Sequence, residues 1–312
     1  MNSNYRRFLS ASVTLAAAAL VSVSSAADAP DLTHPGRSSV YGNLSDSSLE
    51  AVSTPDAMMA LVAAPNSAAP TAIWTMLEHG ERVECLSCIP YVGQMLYNSN
   101  PKTREISAWW LRRRIFGVFG KGEVYEQTVN AVSDQSKPEL TRAYAASALG
   151  EFLEGQAGIP PVATALVSDS SPVVRLAAAN ALIRLNNQGP NSELSTALSD
   201  KDEEVRLAAL NGVTHINVFS NVDQVANLIS DASPLVRRRA AQTLGALKSA
   251  DAVVGLIAIT TPDTESDAGV RAAAVWALGQ IADPAARDAV LAAKNDADSG
   301  VRDAASIASR HL

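Results

Sequence analysis

The chain is 312 residues long, 47% hydrophobic and 18% charged, so a sizeable core is available and disorder throughout is excluded. A formal charge of −7 leaves non-specific nucleic-acid binding without an electrostatic driving force, and four His with two Cys leave little material for a metal enzyme. Aromatics make up 5% while Ala-rich segments recur between residues 143 and 305, which favours close-packed helices over an aromatic-rich β-sandwich.

Residues 1–26 read as an export signal. Arg6 and Arg7 form a positive n-region, residues 11–23 are apolar, and Ser24-Ser25-Ala26 places small residues before a cleavage point after Ala26. The apolar run is shorter than the roughly 18 residues a membrane span requires. The paired Arg fits a Sec signal, with a twin-arginine signal as the alternative. Removing these residues takes the charge to −9. No Cys follows closely enough for a lipid anchor, and no later segment reaches spanning length, so the mature chain is expected to be periplasmic or secreted, with no transmembrane segment.

Residues 27–53, rich in Ser, Asp, Gly and Pro, show no sustained hydrophobic period and read as a flexible tether. Residues 54–88 read as a short helical N-terminal cap, opened by Thr54-Pro55-Asp56 and interrupted between residues 63 and 70. Its end carries Cys85-Leu86-Ser87-Cys88. In an oxidising compartment a local disulfide between Cys85 and Cys88 is expected, tying the cap to the segment that begins at Ile89. A redox-active pair is the alternative, although the βαβ context of a thioredoxin fold is missing. Haem attachment would need His where Ile89 stands, and a metal site recruiting His79 and Glu84 has too few ligands at the right spacing, so no metal or cofactor is assigned.

From residue 89 to 312 the chain repeats itself. Val174-Arg175-Leu176-Ala177-Ala178-Ala179-Asn180-Ala181-Leu182 and Val236-Arg237-Arg238-Arg239-Ala240-Ala241-Gln242-Thr243-Leu244 are the clearest copies. The aligned arginines are Arg104, Arg142, Arg175, Arg206, Arg237, Arg271 and Arg302, at intervals of 38, 33, 31, 31, 34 and 31 residues. Such a period marks a solenoid. Counted from each Arg, positions +3, +4 and +7 are small or apolar, as in Ala178, Ala179 and Leu182, which makes one apolar helical face. Upstream of it stand second amphipathic stretches at residues 162–167, 194–198 and 225–229. Each copy is therefore a helix–turn–helix unit that buries its face only against its neighbours.

Six residues before the Arg stands an acid or its amide: Asn98, Asp169, Asp200, Asp231, Glu265 and Asp296. The second copy is the exception, with a turn two residues longer around Lys137-Pro138. This Asp-and-Arg column resembles the side-chain ladder of HEAT repeats, and the D-x-x-x-V-R-x-x-A-A-x-x-L-G pattern is most similar to the short phycobilisome-lyase-type subclass. The resemblance implies an all-α, right-handed α-solenoid of about seven HEAT-like repeats. It also implies that Asp169, Arg175, Asp200, Arg206, Asp231, Arg237, Asp296 and Arg302 hold repeats together rather than form a site.

Enzymatic signatures are absent apart from the C-x-x-C: there is no G-x-S-x-G, no H-E-x-x-H and no Walker A. The deoxyhypusine hydroxylase type of HEAT-like enzyme binds iron through His-Glu pairs, and none of His34, His79, His215 or His311 is followed by Glu. The phycobilin lyase type handles a cytoplasmic pigment, which an exported chain would not meet. Positions +1, +5 and +9 lie opposite the Ala-Leu core, on the second-helix surface that is concave in a HEAT solenoid. There Trp109, Arg113, Asn180, Asn211, Gln242 and Trp276 are suited to gripping a polypeptide, since Trp and Arg are frequent interface hot spots and amides bond an extended backbone. The expected function is a non-catalytic scaffold or adaptor for a protein partner. A thiol-redox or cofactor-handling protein using Cys85 and Cys88 is the alternative, and an envelope polymer held by the Trp residues is a third. Ser195 is expected on the outer face of a first helix.

Overall fold

In a computed structural model of the protein, the residues described are 85–115, 122–152, 159–185, 191–215 and 219–312, preceded by Asp56, Met59, Ile73, Trp74, Leu77 and Glu78. The signal at 1–26, the tether at 27–53 and most of the cap at 54–88 lie outside the described residues. Fourteen α-helices follow one another among the described residues, with no strand. They are α1 (Ile89–Met95), α2 (Pro101–Ile115), α3 (Gly122–Ser133), α4 (Glu139–Phe152), α5 (Ile159–Ser168), α6 (Pro172–Leu185) and α7 (Asn191–Ala197). After them come α8 (Glu203–His215), α9 (Val222–Asn227), α10 (Pro234–Ala246), α11 (Val253–Ala258), α12 (Ala268–Ile281), α13 (Arg287–Ala293) and α14 (Ser299–Ala308). Each even-numbered helix carries one of the seven aligned arginines, so the chain forms seven helix pairs and is all-α.

The turn inside each pair follows from the local sequence. The acid accepts the backbone N–H two residues on: Ser171 to Asp169 at 2.9 Å, Asp202 to Asp200 at 2.8 Å, Ser233 to Asp231 at 2.8 Å, Asp267 to Glu265 at 2.9 Å and Asp298 to Asp296 at 2.8 Å. In four of these turns that second residue then caps the coming helix. Asp267 accepts the Val270 N–H at 2.9 Å and Asp298 that of Val301 at 3.2 Å, with Asp202 and Ser233 doing the same less closely for Val205 and Val236 at 3.4 Å. Two otherwise unsatisfied donors are thereby met in sequence order. The longer turn of the second copy uses the same device shifted by two residues, for Asp134 accepts the Ser136 N–H at 3.0 Å.

The chain divides into two compact units, residues 1–131 with 151–154 and residues 132–150 with 155–312. In the first, Trp110, Leu111, Ile106, Val92, Met95 and Leu96 are buried, and the Tyr125 and Phe152 rings stand 6.1 Å apart. Cys85 and Cys88 are bonded to each other, 5.3 Å apart at Cα, across the 3-10 turn Leu86–Cys88 that leads into α1, and both are buried.

In the second unit the even-numbered helices pack one after another, α6 on α8, α8 on α10, α10 on α12 and α12 on α14. Positions +3, +4 and +7 supply the contact, as Ala240, Ala241 and Leu244 do in α10, all fully buried. Small residues matter because the axes come close. A Cβ added at Gly245 would stand 2.7 Å from the Cα of Ala277, and one at Gly279 would stand 2.6 Å from the Cβ of Ala308. Gly245 and Gly279 thus each meet the alanine at +6 of the next second helix. The final pair departs from the pattern: Ser306 at +4 is exposed and polar where the earlier copies bury Ala, Leu or Val.

Candidate functional site

The arginine ladder binds successive pairs rather than the two helices of one pair. From Arg142 to Arg271 each guanidinium spans a repeat boundary, turning one edge toward its own turn and the other toward the acid of the following copy. Arg175 donates Nη1 to the carbonyls of Asp169 and Ser170 at 2.9 and 3.2 Å, while Nε and Nη2 reach Asp200 at 2.7 and 2.9 Å. Arg142 grips Asp169 with both bonds at 2.8 Å, Arg237 grips Glu265 at 2.6 and 2.8 Å, and Arg271 grips Asp296 with both at 2.9 Å. At the Arg206–Asp231 rung Nη2 bonds Oδ1 at 2.9 Å, whereas Nε sits at ion-pair distance from Oδ2, 2.8 Å, with its N–H poorly aligned. Arg302 donates to the carbonyls of Asp296 and Ala297 at 2.8 and 2.7 Å and has no acid partner among the described residues.

These rungs shift the carboxyl groups. Burial pushes Asp169 and Asp200 up, but the forks of Arg142 and Arg175 with the N–H bonds of Ser171 and Asp202 outweigh it, so both lie below the usual carboxylate range. For Glu265 and Asp296 the Arg237 and Arg271 forks dominate outright and hold the carboxyls low. From Arg142 to Arg271 every rung of the ladder is thus engaged in holding successive copies together.

The opposite face of the second helices is open. Asn180, Asn211, Gln242 and Trp276 occupy the same +5 register in α6, α8, α10 and α12, the first two exposed and the others half-buried. Ile307, 51% exposed, continues the column on α14. Between α10, α12 and the start of α14 this face sinks into a groove of about 830 Å3, lined by Arg238, Arg239, Gln242, Thr243, Trp276 and Asp298 among others. The Trp276 ring forms one wall, close against Gly245, where a Cβ would come within 2.9 Å of the indole. Neither Arg238 nor Arg239 makes an ion pair with a described residue, and the Nε of Arg239 is enclosed without a hydrogen-bond partner. The Thr243 hydroxyl, buried at the groove, also has none. Asp298 is the acid of the lining, and it is engaged as the cap of α14.

Trp109 lies in the first unit, half-buried on α2 beside the fully buried Trp110. The side chain of Arg113, on the same helix, falls outside the described residues. Ser195 departs from expectation: it is 4% exposed, and its hydroxyl accepts a 2.7 Å bond from Asn221. The physical reason is that Ser195 sits on the face of α7 turned toward the residue preceding α9, a contact between first helices that periodicity within one copy does not display. Sequence reasoning also passed over Arg239 and Thr243. The run Arg237-Arg238-Arg239 held the signal, since a ladder needs only one of the three.

Comparison with known proteins agrees with the helix pairs. The family model for HEAT repeats matches residues 126–210, 191–268 and 222–310. Comparison with curated proteins finds no sequence match. Among solved structures, YibA of Escherichia coli is 16% identical with a TM-score of 0.50, covering 76% of this chain and 96% of its own. Kap121p, in a mutant form, is 13% identical with a TM-score of 0.51, covering 82% of this chain and 36% of its own. The complex of CpcE and CpcF of phycocyanin lyase from Nostoc sp. PCC7120 is 18% identical with a TM-score of 0.40, covering 72% of this chain and 94% of that one. At these identities YibA and Kap121p speak to fold alone, and the family model, matching more than half of the chain, shows that it belongs to the HEAT-repeat family.

Proposed function

We propose that the protein is a non-catalytic, extracytoplasmic adaptor that binds a polypeptide partner along the second-helix face, the concave side of a HEAT solenoid. The observation that carries this reading is the groove walled by Trp276, with Gln242 beside it and two arginines that no described acid neutralises. Aromatic and guanidinium groups held half-exposed on rigid helices lose little freedom on binding, which is the physical character of an interface hot spot. The exposed amides of Asn180 and Asn211 extend the same face and can donate to and accept from a backbone. Export rests on Arg6, Arg7, the apolar run at 11–23 and the small residues before position 27. Burial of Cys85 and Cys88 speaks against the thiol-redox alternative, since exchange needs an accessible sulfur.

Site-specific photo-crosslinking in the native cell tests this reading. A crosslinking residue at position 242 is compared with one at Val254, which is 80% exposed on the first helix α11. A discrete polypeptide adduct at 242 in the exported fraction, absent at 254, is the expected result. Equal labelling at both positions, or none at either, would count against a second-helix binding face.

A further inference from the structure

Within that reading, on which it depends, the groove carries information about what the partner presents. Its lining is charged against the molecule's own balance: the protein bears −7 overall, yet Arg238 and Arg239 stand side by side on α10 without an ion pair. Every ladder arginine from 142 to 271, by contrast, is matched to a carboxylate. The Nε of Arg239 is enclosed and unbonded, and no described carboxylate stands at ion-pair distance from its guanidinium. Asp298, the acid of the lining, keeps its charge while it accepts the Val301 N–H at the start of α14, but it makes no ion pair with either arginine. Beside these cations lies the apolar surface of Trp276, and Gln242 offers both a donor and an acceptor.

From this we infer that the groove binds an acidic segment of the partner in extended conformation, a carboxylate side chain meeting Arg238 and Arg239 while a neighbouring apolar or aromatic side chain lies on Trp276. Guanidinium groups match the planar geometry of a carboxylate and bind it more strongly than a neutral acceptor. Packed helix axes lie about 8–10 Å apart, and an extended chain advances about 3.3 Å per residue. A bound strand therefore crosses one helix about every third residue, meeting Asn180, Asn211, Gln242 and Trp276 in turn. A small carboxylate would use the arginines but leave the amide column unoccupied. Against a net charge of −7, two unpaired cations in the groove favour such a segment there, which gives register as well as affinity.

The test uses the full-length protein labelled with 5-fluorotryptophan, the Trp276 resonance being assigned as the one lost in Trp276→Phe. Three probes are titrated: a capped eight-residue peptide with two Glu around a Phe, the same peptide with both Glu replaced by Gln, and free 3-phenylpropionate. The Glu peptide is expected to move the Trp276 resonance and to bind at least tenfold more tightly than either other probe. Its advantage should vanish in the double variant Arg238→Gln, Arg239→Gln, whose melting temperature serves as the folding control. Equal binding of the Glu and Gln peptides, or a Trp276 resonance that neither moves, overturns the carboxylate assignment. Should 3-phenylpropionate bind as tightly as the Glu peptide, the groove is a small-acid site and the peptide assignment fails. If the peptides fail while position 242 still captures a polypeptide in the cell, acidic specificity is wrong and the adaptor reading stands. If the Glu peptide binds as expected but no adduct forms, it is the adaptor reading that falls.

Discussion

Thr243 shows how binding and stability can pull apart at a single side chain. Its hydroxyl is buried at the groove with no hydrogen-bond partner, and an unsatisfied buried hydroxyl costs about 1–3 kcal/mol. Thr243→Val keeps the shape and removes the polar atom, so it should raise the stability of the free protein by about 1 kcal/mol. Thermal unfolding checks this, and a lowered melting temperature would mean that the hydroxyl is satisfied in solution. Residue-scale features of this kind are the least legible in sequence. Gln242 and Trp276 were found because they share a register, but Arg239 and Thr243 stand off it and only geometry brings them to the groove. Trp276 carried a second surprise, for its ring packs against Gly245 rather than standing free.

At the scale of helices, two devices set how the pairs join. The first is close approach. A methyl group at Gly245 would collide with the backbone of Ala277 at 2.7 Å, where no flexible side chain can give way. Gly245→Ala should therefore destabilise the protein by about 1–3 kcal/mol despite its gain in helix propensity, as measured by denaturant unfolding. The second device is the ladder. Arg271 and Asp296 are both buried, so Asp296→Ala strands a guanidinium without its counter-charge and should cost about 3–5 kcal/mol. Arg302→Ala, at a rung without an acid, should cost less; equal losses would contradict the pairing across copies. The helices, their pairing and the period near 31 residues were readable because a repeated apolar face announces itself seven times. The partner of each rung was not. Acid and Arg stand six residues apart within a copy, while the bonds run 25–28 residues downstream, and a linear spacing does not say which of the two neighbours is closer in space.

Across the second unit as a whole, stability is tied to a line of carboxylates. Asp169, Asp200, Glu265 and Asp296 are all held below their ordinary values, so the unfolded chain takes up protons before the folded one does. Their contribution is complete above the ordinary carboxylate value of about 4 and is lost as pH falls through the lowered native values. Melting temperature should accordingly hold above about pH 5 and drop steeply below about pH 4, with little response to added salt because the rungs are buried. Loss beginning near neutrality would point to other groups. In the seventh pair Ser306 is exposed and polar and Arg302 has no acid partner among the described residues. Repeat architecture thus explains the shared core and leaves the +5 face with its groove open among the described residues.

The measurement that tests this account most directly is the affinity of the partner recovered at position 242 for the wild-type protein and for Trp276→Ala, with unfolding followed in parallel. The account predicts a loss of about 2 kcal/mol or more in binding, accompanied by a smaller loss of stability since the ring is half-exposed. Unchanged affinity in a folded variant would contradict a binding face centred on the groove.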